Sequence, residues 1–228
     1  MSSLYNQTGD LARLAPQSGI VELVSRGRTR ENLLPLWVGE GDLPTPDFIS
    51  NAATASLQKG ETFYTWQNGI PDLRMALSCY HKKHFAKHLR PDRFIVTGSG
   101  MQAIQLAIRA LVNTGDEALY FTPAWPNFEA AVNLAAGIAK PVRLAWGYDG
   151  WRCDLETLRA AITPKTKLIF VNSPANPSGW TASHESLNDI LALAKEHGLW
   201  IIADEIYNRF SYNAARAPSF FEIGRAHV

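Results

Sequence analysis

The chain has 228 residues, of which 46% are hydrophobic and 19% charged, and its formal net charge is +1. This size supports one large core, or one domain with part of a second. A nearly neutral chain gives no electrostatic reason to expect nucleic acid or an anionic membrane surface as partner, and no run approaches the roughly 20 apolar residues of a membrane span. Without a secretory pattern at the N-terminus or a disulfide framework, the chain is predicted to be cytoplasmic.

Residues 1–46 differ from the rest, with a short helix predicted around Ile20–Arg28 and loops rich in proline and glycine. They are typical of an arm or of part of a second domain. From residue 47 onward, apolar periodicity predicts alternating helices and short strands. The predicted helices are Asp47–Gln58, Ile70–His88, Met101–Val112, Pro126–Ala136, Leu155–Ile162 and Ser183–His197. The predicted strands are Phe94–Thr97, Glu117–Thr122, Lys140–Leu144, Lys167–Asn172 and Leu199–Ala203. This alternation indicates an α/β fold, a mostly parallel sheet with helices on both faces.

Ligands of open α/β sheets bind beyond the carboxyl ends of the strands, so the residues after each strand are candidates. After the first strand, Ser99, Gly100 and Met101 open a helix whose free N–H groups can bind phosphate, although a plain strand-to-helix turn fits as well. After the second strand, Trp125 stands between two prolines and can cover a flat ligand ring. Packing on the rim of the core is the more usual role of such a tryptophan.

The last two strands end on polar side chains. Asn176 lies in the rigid loop "NSPANPSG" and can donate to a ligand oxygen, or act only as a turn former. In "LWIIADEIY", a buried strand runs into Asp204, and a carboxylate there is costly unless it is paired. A protonated pyridine nitrogen would pair with it, and Tyr207 could bond a phenolic oxygen of the same ring. The alternative is a structural Asp204 with Tyr207 as packing. Taken together, the four strand ends carry the parts of a pyridoxal 5′-phosphate site.

The sequence resembles the class I/II aminotransferases of fold type I, the aspartate aminotransferase-like family, from about Leu33 to Phe221. The shared motifs are "LWVGEGDLPTP", "ETFYTWQNGIPDLRMAL", "VTGSGMQA", "LVNTGDEAL", "PAWPNF", "FVNSPANPSGW" and "IIADEIY". The resemblance implies a pyridoxal-phosphate-dependent homodimer that transfers an amino group between an amino acid and a 2-oxo acid.

The resemblance also implies a role for each matching residue. The backbone of Ser99, Gly100 and Met101 binds the cofactor phosphate, and Trp125 stacks on the pyridine ring. Asn176 and Tyr207 bond the 3-oxygen of the ring, and Asp204 pairs with its nitrogen. Tyr64 reaches the phosphate of the neighbouring subunit, and the backbone of Gly39 lines the pocket for the substrate carboxylate.

The chain departs from the family in lacking counterparts of the lysine that forms the Schiff base, and of the arginines for phosphate and substrate carboxylate. Lys165 and Lys167 precede a strand, at the wrong end of the sheet, so no residue is assigned as catalytic. We therefore predict the N-terminal portion of an aminotransferase, inactive alone, in which Asp204 is either unpaired or more exposed than its sequence implies. The predicted parts are residues 1–46 (arm and small-domain segment), 47–221 (incomplete cofactor-binding domain) and 222–228, a non-native tail that resembles a translated sequencing adapter.

Two other functions fit the same fold: a pyridoxal-phosphate-dependent C–S β-lyase, and a non-catalytic aminotransferase-like module that binds the cofactor. No metal site is predicted. His81, His84 and His88 share one helical face by spacing, but basic residues surround them, so a solvated face is the interpretation.

Overall fold

The computed structural model describes residues 4–15, 19–37, 39 and 41–223. Within this part, the α-helices are α1 (Asp10–Leu14), α2 (Gly19–Gly27), α3 (Asp47–Gln58), α4 (Pro71–Phe85), α5 (Gly100–Leu111), α6 (Asn127–Leu134), α7 (Leu155–Ala161), α8 (His184–Glu196) and α9 (Phe220–Ile223). The strands are β1 (Glu117–Thr122), β2 (Ile138–Arg143), β3 (Ala145–Gly147), β4 (Gly150–Arg152), β5 (Thr166–Asn172) and β6 (Trp200–Asp204). Short 3₁₀-helices cover Tyr5–Gln7 and Pro91–Arg93. None of the helices described is both long and apolar enough to cross a bilayer.

A four-stranded parallel sheet forms the centre of the fold, with the strand order β2-β1-β5-β6. Because the four strands run in the same direction, their carboxyl ends meet at one edge. The register of β5 and β6 places Asn172 opposite Asp204 at that edge. Strands β3 and β4 pair with each other in a separate antiparallel hairpin.

The sheet carries a hydrophobic core on each face. Successive side chains of a strand point to opposite faces, so Leu168 and Phe170 of β5 enter one core while Ile169 and Val171 enter the other. Helices α5 and α6 cover the first face, and α7 and α8 cover the second. The predicted α/β fold, with helices on both faces of a parallel sheet, is confirmed.

Local sequence signals explain where α5 and α8 begin and where α8 ends. The hydroxyl of Ser99 accepts a hydrogen bond from the Gln102 N–H (3.1 Å) and caps α5. The Ser183 hydroxyl caps α8 in the same way, by accepting from the Ser186 N–H (3.1 Å). Beyond α8, Gly198 takes φ = +65°, a conformation that favours glycine and ends a helix.

One predicted strand is wrong. Phe94–Thr97 is extended but belongs to no sheet in the part of the chain that the structure describes. The Val96 N–H donates to the Asn68 carbonyl (3.1 Å) without continuing into a ladder, and the Ile95 side chain is 67% exposed. An apolar run favours extended backbone, whereas a strand also needs a neighbour that local sequence does not specify. The hairpin of β3 and β4 was not predicted because three-residue strands are too short to show alternation.

The interpretation of the histidine face as solvated is wrong for two of its three members. His81 and His84 are partly buried, and only His88 is exposed. The His81 ring lies 5.1 Å from the ring centroid of Phe94 and 4.6 Å from that of Phe221. The spacing correctly placed His81 and His84 on one face of α4, whereas His88 lies beyond the end of α4 at Phe85. Phe221, which packs on that face, is distant in sequence.

Of the tail predicted to be non-native, the structure describes Glu222 and Ile223. The Glu222 carboxylate pairs with the Arg216 guanidinium (2.8 Å) and accepts from the Ser219 N–H (3.2 Å). Residues 224–228 lie outside the described part. The origin of this tail stays a prediction, as do the domain boundaries at residues 46 and 221.

Candidate functional site

A pocket opens at the carboxyl edge of the sheet, where β1, β5 and β6 end side by side. Three of the predicted site residues, Trp125, Asn176 and Asp204, line it together. Each comes from a different strand end, so the parallel topology brings them together as the sequence predicts. The remaining lining residues are Phe121, Pro123, Ala124, Leu144, Phe170, Asn172 and Ala175. None of the residues lining this pocket is a lysine.

Asp204 is a partly buried carboxylate with one hydrogen-bond donor. Its Oδ1 accepts from the Ile206 N–H at 3.2 Å, and among the described residues it forms no ion pair. Burial raises the pKa of Asp204 above its ordinary value, and the hydrogen bond from the Ile206 N–H lowers the pKa by a smaller amount. Among the described residues the Asp204 carboxylate therefore has no cationic partner, and its predicted lack of a partner stays a prediction. A cationic or strongly donating ligand group in the pocket would satisfy it.

Asn176 lines the pocket, and its main chain is hydrogen-bonded to the end of β5. Its N–H donates to Oδ1 of Asn172 at 2.9 Å, and the structure shows no hydrogen bond from its own amide group within the described part. Asn172 was not predicted as a site residue. Its position at the end of a strand whose neighbour ends on Asp204 is the signal that could have identified it.

Ser99, Gly100 and Met101 form the amino end of α5, as predicted, but they do not line this pocket. The Ser99 hydroxyl accepts as the cap of α5, and the main-chain N–H groups of Ser99, Gly100 and Met101 at this end of the helix are donors for a ligand. A Cβ added at Gly100 would meet no atom within 4 Å. Packing therefore does not require glycine there, and the helix terminus faces open space suited to an anion.

The other three predicted residues lie apart from the pocket. Tyr207 is partly buried, and its ring lies 5.8 Å from that of Phe210. Tyr64 and Gly39 are exposed, and a Cβ at Gly39 would meet no atom within 4 Å. Their roles in binding stay predictions.

Taken together, the pocket combines an aromatic wall, an amide and an unpaired carboxylate, beyond an α/β sheet. These groups suit a flat, cationic ring that also carries a hydrogen-bonding oxygen. No three or more His, Cys, Asp or Glu side chains cluster in a way that could hold a metal ion, as far as the structure describes the chain.

Comparison with known proteins gives a consistent result. The profile of the family "Aminotransferase class I and II" matches residues 32–228. Aspartate/prephenate aminotransferase from Thermus thermophilus is 35% identical over 201 residues, which are 88% of this chain and 51% of that protein. Aspartate aminotransferase from Thermotoga maritima is 34% identical over 190 residues, 83% of this chain and 49% of that protein.

Solved structures extend the comparison to the fold. The structure of aspartate aminotransferase from Thermotoga maritima superposes with a TM-score of 0.89 at 30% identity, covering 95% of this chain and 58% of that one. The chain spans about half the length of the curated relatives it matches. Over the span that is compared, both sequence and fold agree, and the chain therefore belongs to the aminotransferase class I and II family.

Proposed function

We propose that the chain forms the cofactor-binding part of a pyridoxal-phosphate-dependent aminotransferase, which transfers an amino group between an amino acid and a 2-oxo acid. The observation that carries this proposal is the Asp204 carboxylate, partly buried at the pocket with no counter-charge among the described residues. The relatives are named as aminotransferases, and no observation on this chain favours a C–S β-lyase or a non-catalytic module.

The residues present fit pyridoxal phosphate. Asp204 would pair with the protonated ring nitrogen, Trp125 would cover the ring, and Asn176 would donate to the 3-oxygen, with Tyr207 as a second predicted donor. The N–H groups at Ser99, Gly100 and Met101 would hold the phosphate, for which the open space at Gly100 leaves room. When bound, the cofactor supplies an electron-withdrawing ring to the α-carbon of the amino acid.

Asp204 contributes to this chemistry through its charge. A cation beside a carboxylate favours the ionised form and opposes the effect of burial on its pKa. Once paired, Asp204 would stay ionised and hold the proton on the ring nitrogen. We propose that the lysine bonded covalently to the cofactor lies outside these 228 residues, since none of the residues that line the pocket is a lysine.

Binding of pyridoxal phosphate to the 228-residue chain, measured by calorimetric titration, tests the proposal. We expect saturable binding with one ligand per chain. Trp125→Leu should weaken the affinity about three- to tenfold, the equivalent of one aromatic contact. Trp146→Leu is the matched control, because Trp146 is exposed on the β3–β4 hairpin.

Two results would count against this assignment. If both tryptophan substitutions weakened the affinity equally, Trp125 would not be a residue that contacts the cofactor. If borohydride reduction fixed the cofactor on one specific lysine of this chain, the expectation that the lysine lies outside these residues would be wrong.

We further propose that the enzyme is a homodimer in which Tyr64 reaches the neighbouring subunit. Helix α3 has twelve residues, and none of them is buried. Even its large apolar residue Phe48 is 76% exposed. In the loop that follows, Phe63, Tyr64 and Trp66 are exposed as well. Exposed apolar surface of this kind is typical of protein interfaces.

The dimer proposal predicts that Phe48→Glu weakens self-association by tenfold or more, on the order of the loss at an interface hot spot. Thr54→Glu is the control, because at 100° per residue it lies about 120° from Phe48 around α3. Sedimentation velocity over a range of chain concentrations measures both. A chain that sediments as a monomer throughout would refute the proposal.

The compartment is proposed from chemistry alone. Cys79 and Cys153 are both free thiols, and burial raises the pKa of Cys153 to about 12, which keeps it in the unreactive thiol form. These thiols support the proposed location in the reducing cytoplasm.

A further inference from the structure

Asn172 connects two of the residues that line the pocket. It is the last residue of β5 and lies opposite Asp204 in the register with β6. Its Nδ2 donates to the main-chain carbonyl of Asp204 at 3.1 Å, and its Oδ1 accepts from the main-chain N–H of Asn176 at 2.9 Å. One side-chain amide therefore spans the end of β6 and the loop after β5.

The chemistry of these two bonds requires an amide. The partners are a carbonyl, which needs a donor, and an N–H, which needs an acceptor, so only one orientation of the Asn172 amide satisfies both. An aspartate would keep the acceptor but place a second negative charge beside Asp204 and lose the donor. An alanine would lose both bonds.

The backbone around Asn172 does not make this bridge redundant. The Ser173 N–H also donates to the Asp204 carbonyl (3.2 Å), which continues the pairing of β5 with β6. The loop toward Asn176 instead leaves the sheet, and the bond between Asn172 Oδ1 and the Asn176 N–H joins it to the strand end. The Asn172 side chain thus adds a link from the main chain of Asn176 to the end of β6, beyond the Ser173 bond at the start of the loop.

We propose that Asn172 is a positioning residue that fixes the Asp204 carboxylate and the Asn176 amide relative to each other, so that both reach the ring of one bound ligand. This inference rests on the proposed function, because it names the ring of pyridoxal phosphate as that ligand. Asn172 acts through the main chain of the two residues and needs no contact with the ligand.

Calorimetric titration of the 228-residue chain with pyridoxine 5′-phosphate tests the inference. This probe carries an alcohol in place of the aldehyde, so its binding depends on no lysine. We expect Asn172→Ala to weaken the affinity about tenfold, the equivalent of one hydrogen bond. Asn188→Ala is the matched control, because Asn188 also donates from its side chain to a main-chain carbonyl (His184, 2.8 Å), but on the exposed surface of α8.

A second background separates positioning from general stability. In a chain that carries Asp204→Ala and Asn176→Ala, the side chains to be positioned are gone, so Asn172→Ala should change the affinity less than about twofold. A tenfold loss in that background too would show a merely structural role and overturn the inference. If Asn172→Ala does not fold, Asn172→Ser, which adds no charge, is judged by the same criteria against Asn188→Ser.

The two proposals fail in different ways. If the unsubstituted chain binds the probe and Asn172→Ala binds it equally well, the inference about Asn172 is wrong and the proposed function stands. If the unsubstituted chain binds neither pyridoxine phosphate nor pyridoxal phosphate, the proposed function is wrong and the inference falls with it.

Discussion

Asp204→Ala should lower the turnover of the complete aminotransferase by at least about 100-fold, the loss typical of removing one preorganised electrostatic group. Its carboxylate is the charged side chain among the residues that line the pocket, and it would hold the proton on the ring nitrogen. Cofactor affinity should fall less, because Trp125, Asn176 and the phosphate-binding groups remain. Steady-state kcat for amino transfer, together with calorimetric titration of the cofactor, measures the two effects.

Two further variants define what the carboxylate contributes. Asp204→Asn keeps the shape of the side chain and removes its charge, so its turnover should fall about as far as that of Asp204→Ala. Asp149→Ala removes an exposed carboxylate between β3 and β4, and its turnover should equal that of the unsubstituted enzyme. Near-normal turnover in Asp204→Asn would show that the charge is not needed and would remove the main support for the proposed function.

The central sheet and three members of the pocket could be predicted from local sequence, for a physical reason. Buried parallel strands are short apolar runs, and their carboxyl ends converge on one edge whatever the strand order. Asp204 and Asn176 could therefore be placed together without knowing that β5 and β6 are neighbours. An apolar run that ends on a carboxylate was the signal that marked Asp204, and its role in a site followed from the four strand ends taken together.

Features that depend on contacts between distant segments could not be predicted in the same way. The role of Asn172 follows from the register of β5 with β6, which the sequence pattern does not contain. His81 was misinterpreted because Phe221, its neighbour in space, is 140 positions away along the chain. The extended segment Phe94–Thr97 was misassigned because a strand is defined by a partner as well as by its own residues.

The adjacent carboxylates of Asp204 and Glu205 differ in how they are satisfied. Burial is the main cause that raises the pKa of each carboxyl group above the ordinary value for that residue type. The Glu205 carboxylate accepts from the hydroxyl of the fully buried Ser219 (2.6 Å) and from the Phe220 N–H (3.0 Å). Asp204 accepts from one N–H, that of Ile206 (3.2 Å). Glu205 is thus tied into the fold, whereas Asp204 faces the pocket.

The same substitution at these two positions should therefore have different effects on the stability of the cofactor-free chain. Glu205→Ala should lower the free energy of unfolding by about 2–4 kcal/mol, because two donors lose their acceptor and one of them is fully buried. Asp204→Ala removes a partly buried charge that lacks a counter-charge, so it should leave the free energy of unfolding unchanged or raise it by up to about 1 kcal/mol. Urea unfolding at pH 7 measures both.

The pH dependence of Asp204→Ala provides a second test. The pKa of Asp204 is higher in the folded chain than its ordinary value of 3.8, so the folded state binds the proton more tightly than the unfolded state does. The unsubstituted chain should lose stability relative to Asp204→Ala as the pH rises from 3.8 through the folded pKa, and the difference between the two should become independent of pH below 3.8. If Asp204→Ala were instead as destabilising as Glu205→Ala, Asp204 would be a structural carboxylate, and the pocket would lose the group that its proposed ligand is meant to pair with.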